Sequence, residues 1–326
     1  MFHLKNCEPA ANQKELCDCM MSSDEAADSC CASCGIAECD STKLKKCTAC
    51  YLVRYCSVKC QREHRPQHKK ACKKRAAELH DEKLFRQPES SHFGDCPICL
   101  IPLSLDRSRR NMLNCCSNIV CDGCSYANDL RQLEERLEST CPFCRQSTSD
   151  TNEEAELRQM KRVQVNDPVA IREFGLARYY EQDYTRAFEN LTKAVELGDV
   201  TAHFTLSSMY RAGQGVAKNK KKEIYHLEQA SIGGHFKARH NLGVEEFQNG
   251  RIDRAVKHWI IAATTGDDAS LDVIKRGYGQ GFVGKEDYAA ALRAHQAAVN
   301  ETKSPQREAA RVAEQNGEMS ALDPWK

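Results

Sequence analysis

Cysteine and histidine dominate the chemistry this chain can offer. Between residues 31 and 72 they occur as Cys31-Ala-Ser-Cys34, Cys47-Thr-Ala-Cys50, Cys56-Ser-Val-Lys-Cys60 and His68-Lys-Lys-Ala-Cys72. Seven thiols and one imidazole in four pairs are enough donors for two tetrahedral zinc ions, because structural zinc takes Cys and His ligands supplied a few residues apart. Cys30 competes with Cys31 for the first position, and only the two-residue spacing to Cys34 favours Cys31. A second block offers eight more thiols: Cys96-Pro-Ile-Cys99, the adjacent Cys115 and Cys116, Cys121-Asp-Gly-Cys124 and Cys141-Pro-Phe-Cys144. These suffice for two further zinc ions. A zinc closed by four protein ligands has no open position, so it acts as a staple for the fold.

The first block resembles the MYND zinc finger, including the run Cys60-Gln61-Arg62 that leads to His68 and Cys72. That resemblance implies interleaved sites, with Cys31, Cys34, Cys56 and Cys60 on one zinc and Cys47, Cys50, His68 and Cys72 on the other. The aromatic residue common three positions before the ligating histidine is replaced by Arg65. The outer pairs of the second block resemble a RING finger, and Cys116, Cys121 and Cys124 follow its all-cysteine variant without the usual spacer after Cys115. The cross-brace implied by this resemblance puts Cys96, Cys99, Cys121 and Cys124 on one zinc. It leaves Cys115, Cys116, Cys141 and Cys144 for the other, with the adjacent pair expected to strain the local backbone. In that family the residues at Ile98 and Pro142 contact a ubiquitin-conjugating enzyme, and Arg145 stands where a link to ubiquitin is made.

All 20 cysteines lie within the first 144 of 326 residues. The opening segment lacks the basic and apolar regions of a signal peptide, and no apolar run approaches the ~18 residues needed to span a membrane. Cysteine pairs in such a context read as metal sites, which predicts a cytoplasmic or nuclear protein. The net charge of +1 gives no global attraction to nucleic acid. Residues 54–86 hold eleven Lys or Arg against four Asp or Glu. Phosphate binding needs such clustering, but no aromatic residues are interleaved for base stacking, so a solvated helix face is expected and nucleic acid is not.

After Cys144 the composition turns to alanine, leucine and tyrosine at helical spacing. Ala170, Ala202, Ala238 and Ala269 are separated by 32, 36 and 31 residues, and Ala194, Ala230, Ala262 and Ala298 by 36, 32 and 36. Glycine turns at Gly198, Gly233-Gly234 and Gly266 close the first three units. The pattern resembles the Sel-one-like repeats of the tetratricopeptide superfamily, in which each helix pair buries its apolar face on the next. The glycines of Tyr278-Gly-Gln-Gly281 lack the following Lys-Ser or Lys-Thr of a phosphate loop. The repeat histidines are expected to pack or to line helix surfaces, and Tyr179, Tyr210, Phe247 and Trp259 to form intra-repeat core.

The expected fold class is therefore a pair of small zinc-stabilised α+β modules followed by an all-α helical-repeat solenoid. The expected organisation is a disordered segment 1–29, a MYND finger 30–72, a helical linker 73–95 and a RING-like finger 96–145. A linker helix then occupies 146–167, repeats 168–300, and a cap and tail 301–326. Two zinc ions are expected in each finger. By these resemblances the protein is a RING-type ubiquitin ligase or ligase subunit, with the MYND finger and solenoid recruiting substrates or peptides. The alternative is a non-enzymatic adaptor. A methyltransferase is disfavoured because the repeats occupy the space a catalytic domain would need.

Overall fold

The computed structural model describes residues 29–148 and 151–317. The expected disordered segment, with Cys7, Cys17 and Cys19, lies almost wholly outside the described residues, as does the end of the tail. The chain divides into two compact units, residues 1–84 and 85–326.

In the first unit a two-residue ladder, β1 (Lys45–Lys46) with β2 (Arg54–Tyr55), leads into the long helix α1 (Val58–Leu84). The helix expected to begin after Cys72 starts fifteen residues earlier than the Lys73 boundary, inside the finger. Pro66 sits within α1 and removes a backbone donor there, a cost of about 3 kcal/mol in an ordinary helix interior. Cys60, His68 and Cys72 fix the same helix to the finger from its inward face. Arg62, Arg65, Lys69 and Lys73 are exposed. Apart from cysteines, the core of this unit is little more than Leu44 and Tyr55.

The second unit begins with residues 85–95, which are an ordered strap against the repeats. The His92 amide donates to Gly234 O at 3.2 Å, and its ring stacks on His235 with 4.2 Å between centroids. A short 3-10 turn (Arg107–Arg109) precedes the hairpin β3 (Arg110–Leu113) and β4 (Asn118–Cys121), and α2 (Asp122–Glu134) follows. Leu103 and Val120 form the small apolar centre of this finger, with Phe93, Leu113 and Ile119 around it.

Helices then pair in sequence: α3 (Asn152–Gln164), α4 (Pro168–Tyr180), α5 (Tyr184–Glu196), α6 (Val200–Ala212), α7 (Lys220–Ile232), α8 (Phe236–Gln248), α9 (Ile252–Thr264), α10 (Asp268–Gly279), α11 (Lys285–Glu301) and α12 (Pro305–Gln315). The expected linker helix is α3, and it packs on α4 as part of the array. One motif starts the first helix of each unit. A residue of positive φ (Asn166, Gly198, Gly234, Gly266) precedes a capping residue (Asp167, Asp199, His235, Asp267). Each cap's side chain accepts an amide hydrogen from the residue three positions on: Ala170, Ala202, Ala238 and Ser270. This corrects the register expected for the fourth unit. Ser270, fully buried, takes the alanine position, while Ala269 is exposed. Such small side chains let paired helices approach closely. Ile171, Leu191, Leu206 and Met209 fill the space between the first two pairs, and Trp259, Ile274 and Val283 fill the later ones. Tyr210 is buried as expected, whereas Phe247 is half-exposed against Trp259 and Phe282. No helix among the described residues is long and apolar enough to cross a membrane.

His92 lies between Phe93 and His235, and neither ring nitrogen has a hydrogen-bond partner among the described residues. Burial, reinforced by the Arg110 charge, holds its imidazole down at about 3. Between that value and the ordinary one near 6.5 the unfolded chain binds the proton and the folded chain does not. The resulting stability is present above about pH 6.5 and is lost as the pH falls. Urea unfolding of the repeats should weaken by about 1 kcal/mol for this residue between pH 7.5 and 5.5. His92→Phe should remove that part of the pH dependence; an unchanged slope would contradict the assignment.

Candidate metal centres

Four of the five Cys-x-x-Cys pairs are shaped by the same local fold, and Cys121–Cys124 is the exception. At Cys31–Cys34 the Gly35 amide donates to Cys31 O at 2.8 Å and the Cys31 amide to Ile36 O at 2.8 Å. Tyr51, Leu100 and Arg145 make the equivalent bond to Cys47 O, Cys96 O and Cys141 O at 2.9, 2.8 and 3.0 Å. The residue after each pair has positive φ: Gly35 at 74°, Tyr51 at 58°, Leu100 at 57° and Arg145 at 59°. Three of these are not glycine, and the left-handed conformation costs such residues about 1 kcal/mol or more. The turn aims both thiols of a pair at one point. At Cys121–Cys124 the N-terminus of α2 does this instead, the Cys121 sulfur accepting from the Cys124 amide at 3.3 Å.

The pairs converge into four groups: Cys31, Cys34, Cys56 and Cys60; Cys47, Cys50, His68 and Cys72; Cys96, Cys99, Cys121 and Cys124; and Cys115, Cys116, Cys141 and Cys144. In each, the donor atoms all lie within 4.8 Å of one another. Sulfur–sulfur separations are 3.6 Å for Cys34–Cys56 and for Cys56–Cys60, 3.9 Å for Cys47–Cys72, 3.8 Å for Cys99–Cys121, and 3.9 Å for Cys116–Cys141. A tetrahedron with zinc–sulfur bonds of about 2.3 Å has edges of about 3.8 Å. The donors are too far apart for disulfides and correctly spaced for zinc. His68 presents Nε2, 3.2 Å from the Cys50 sulfur. Its ring stacks on His64, which hydrogen-bonds the Tyr55 hydroxyl at 3.1 Å.

Cys31, and not Cys30, belongs to the first group. Cys39 lies outside all four, with Ser41 Oγ 3.1 Å from its sulfur. Cys115 and Cys116 both reach the fourth group from the turn between β3 and β4. The strain expected at this adjacent pair falls on Ser117, whose φ is 57°, and neither cysteine has positive φ.

Electrostatics explains why a dication suits these groups. Burial works to raise the Cys31 thiol, but amide hydrogen bonds outweigh it and bring the group down to about 6. Burial, with the neighbouring Cys31, Cys56 and Cys60, pushes Cys34 up to about 12. Likewise Cys47 falls to about 6 and Cys72 rises to about 11. In the third group burial raises Cys99, yet the Ile101 amide and the Arg307 guanidinium bring it to about 7, while burial holds Cys124 well above its ordinary value. Each group thus holds one thiol that is pulled down and at least one that is pushed up, a conflict that a zinc ion relieves by neutralising the repulsion between thiolates.

Of the other singled-out residues, Ile98 and Arg145 are exposed on the two zinc loops of the second finger, and Pro142 is partly buried. Leu100 and Phe143 are exposed beside them. Arg307, which sequence reasoning placed only in a capping helix, reaches the Cys99 sulfur at 3.4 Å. Gly123, inside Cys121-Asp-Gly-Cys124, was the one available signal, since a glycine there permits close approach of another chain segment.

Residues 31–72 match the MYND finger family. No curated protein sequence matches the chain. Among solved structures, a Sel1 repeat protein from Oxalobacter formigenes is similar over 48% of this chain and 49% of its own, at 21% identity and a TM-score of 0.41. The protective antigen c5321 of uropathogenic Escherichia coli, described as an SLR fold, is similar over 47% of this chain and 34% of its own, at 25% identity and a TM-score of 0.38. The chain thus spans about half or less of these proteins. It is a zinc-binding protein whose described residues show one MYND-finger match at 31–72, four zinc-type donor groups and a helical array after them.

Elemental analysis of the purified protein should find about four zinc ions, one per donor group. Cys116→Ser should lower the count by one, and Cys39→Ser should leave it unchanged. Four ions retained by Cys116→Ser would remove the adjacent pair from the coordination sphere.

Proposed function

We propose that this protein is a RING-type ubiquitin ligase or ligase subunit, with the MYND finger and the repeats selecting its protein substrates. In this reading the four donor groups are closed zinc sites and hold no reactive water, so the chemistry belongs to the cysteine of a charged conjugating enzyme. The finger contributes by holding that enzyme and its ubiquitin in a reactive pose. The observation that carries the reading is the pair of zinc loops in a cross-braced finger, which leave Ile98, Leu100, Phe143 and Arg145 exposed. Apolar side chains of this size on rigid loops favour a protein partner over solvent. Ile98 and Pro142 would contact the conjugating enzyme, and the Arg145 guanidinium would hydrogen-bond across to ubiquitin. The MYND finger would take a short peptide, and the repeats would offer an extended surface for a substrate. The cytosol or nucleus, where thiols stay reduced, suits sixteen donors of which fifteen are cysteines.

A non-enzymatic adaptor is the second reading, and the family match to the MYND finger favours it, because that module accounts for partner binding without any transfer reaction. A ubiquitin-transfer assay against a panel of conjugating enzymes separates the two. A ligase should build chains, and Ile98→Ala and Arg145→Ala should each reduce the rate at least tenfold while zinc content stays constant. Absence of transfer across the panel, with zinc sites full, would support the adaptor.

A further inference from the structure

The last helix of the repeat array enters the second zinc finger. α12 crosses α2 so closely that a Cβ on Gly123 would lie 2.8 Å from the Arg307 Cα. Arg307, only 8% exposed, extends from this crossing into the first zinc loop. Its Nη1 donates to Pro102 O at 2.6 Å and to Thr302 O at 2.7 Å. Its Nη2 donates to Ile101 O at 2.9 Å and to the Cys99 sulfur at 3.4 Å. Three of these four acceptors belong to the loop that begins at Cys96 and Cys99. A second tie runs from Arg109 to Asp122 at 3.3 Å and to Glu314, on α12, at 2.8 Å.

A zinc ion with four thiolates carries a net charge of −2, and three of the four cysteines in this group are buried. Such a site needs compensating donors outside its ligands, and these also fix ligand orientation. We propose that Arg307 is an outer-shell positioning residue of the Cys96, Cys99, Cys121 and Cys124 site, so that the repeat array completes the zinc finger. One guanidinium holds the Cys99 thiolate and two carbonyls of its loop, and a fork of donors does this where a single ammonium cannot. The finger and the last helix of the array are then one metal-linked element. The inference needs only zinc occupancy and stands whether or not ubiquitin is transferred.

The test uses the full-length zinc-loaded protein and follows zinc release to a mercurial reagent with a chromogenic chelator. Arg307→Met should release one of the four zinc ions about ten- to a hundredfold faster, with the other three unchanged. Arg307→Lys should fall between that variant and the unmodified protein. Arg311→Met, which alters a half-exposed arginine on the same helix paired with Glu308, should behave as the unmodified protein. Gly123→Ala, which pushes α12 away without touching the guanidinium, should reproduce the single fast zinc if Arg307→Met fails to accumulate. In the cobalt-substituted protein, Arg307→Met should shift the thiolate-to-metal charge-transfer band of one site only. Unchanged release in Arg307→Met or Gly123→Ala would overturn the proposal. So would equal acceleration of all four ions with loss of helicity, which would reduce Arg307 to a general folding contact.

Discussion

Mutual repulsion among clustered thiolates is the constraint on which both fingers depend. Each group places its donors within 4.8 Å of one another, three or four of them sulfurs. The first finger has almost no apolar core beyond Leu44 and Tyr55, so burial alone cannot offset the entropy of ordering its loops. A bound dication supplies both attraction and geometry, and its binding free energy becomes folding free energy. The left-handed residues after the zinc pairs, Tyr51, Leu100 and Arg145, follow from this constraint. Each accepts a backbone penalty that the metal bonds outweigh. The same holds for Pro66, tolerated inside α1 because ligands before and after it anchor the helix.

The repeats reach stability by different physics. Helix pairs bury alanine, leucine and isoleucine against their neighbours, and each unit opens with a capping side chain whose position is set by a left-handed residue before it. The Arg172 guanidinium on α4 bonds Asp199, the cap of α6, at 2.8 Å, so a cap also joins successive units. The first unit thus carries part of the second one's start. The strap at residues 85–95 extends this principle, with His92 bonded to the turn glycine Gly234.

Much of this was legible as spacing. Ligand pairs two to four residues apart mark zinc chemistry, and small residues at intervals near 35 mark stacked helix pairs, because both periodicities follow from short-range geometry. The partnership of the pairs was not legible in that way. Nothing in the spacing links Cys34 to Cys56 across 22 residues, and only the likeness to known fingers suggested it. The fourth repeat slipped by one residue because Ala269 was matched by type, whereas the capping bond selects Ser270. The strap lies in the stretch expected as a helical linker, 73–95, but the helix ends at Leu84 and the order of the strap comes from distant partners. Arg307 has only Gly123 to hint at it in the sequence, as 205 to 208 residues separate it from the loop it holds.

Zinc K-edge X-ray absorption on the metal-loaded protein tests the central claim most directly, since it reads donor type, number and distance together. Three groups of four thiolates and one of three thiolates with an imidazole predict fifteen sulfurs and one nitrogen over four ions. The spectrum should show sulfur near 2.3 Å as almost the whole first shell. A substantial oxygen shell, or sulfur counts near two per zinc, would contradict closed sites and with them the account of how both fingers hold their shape.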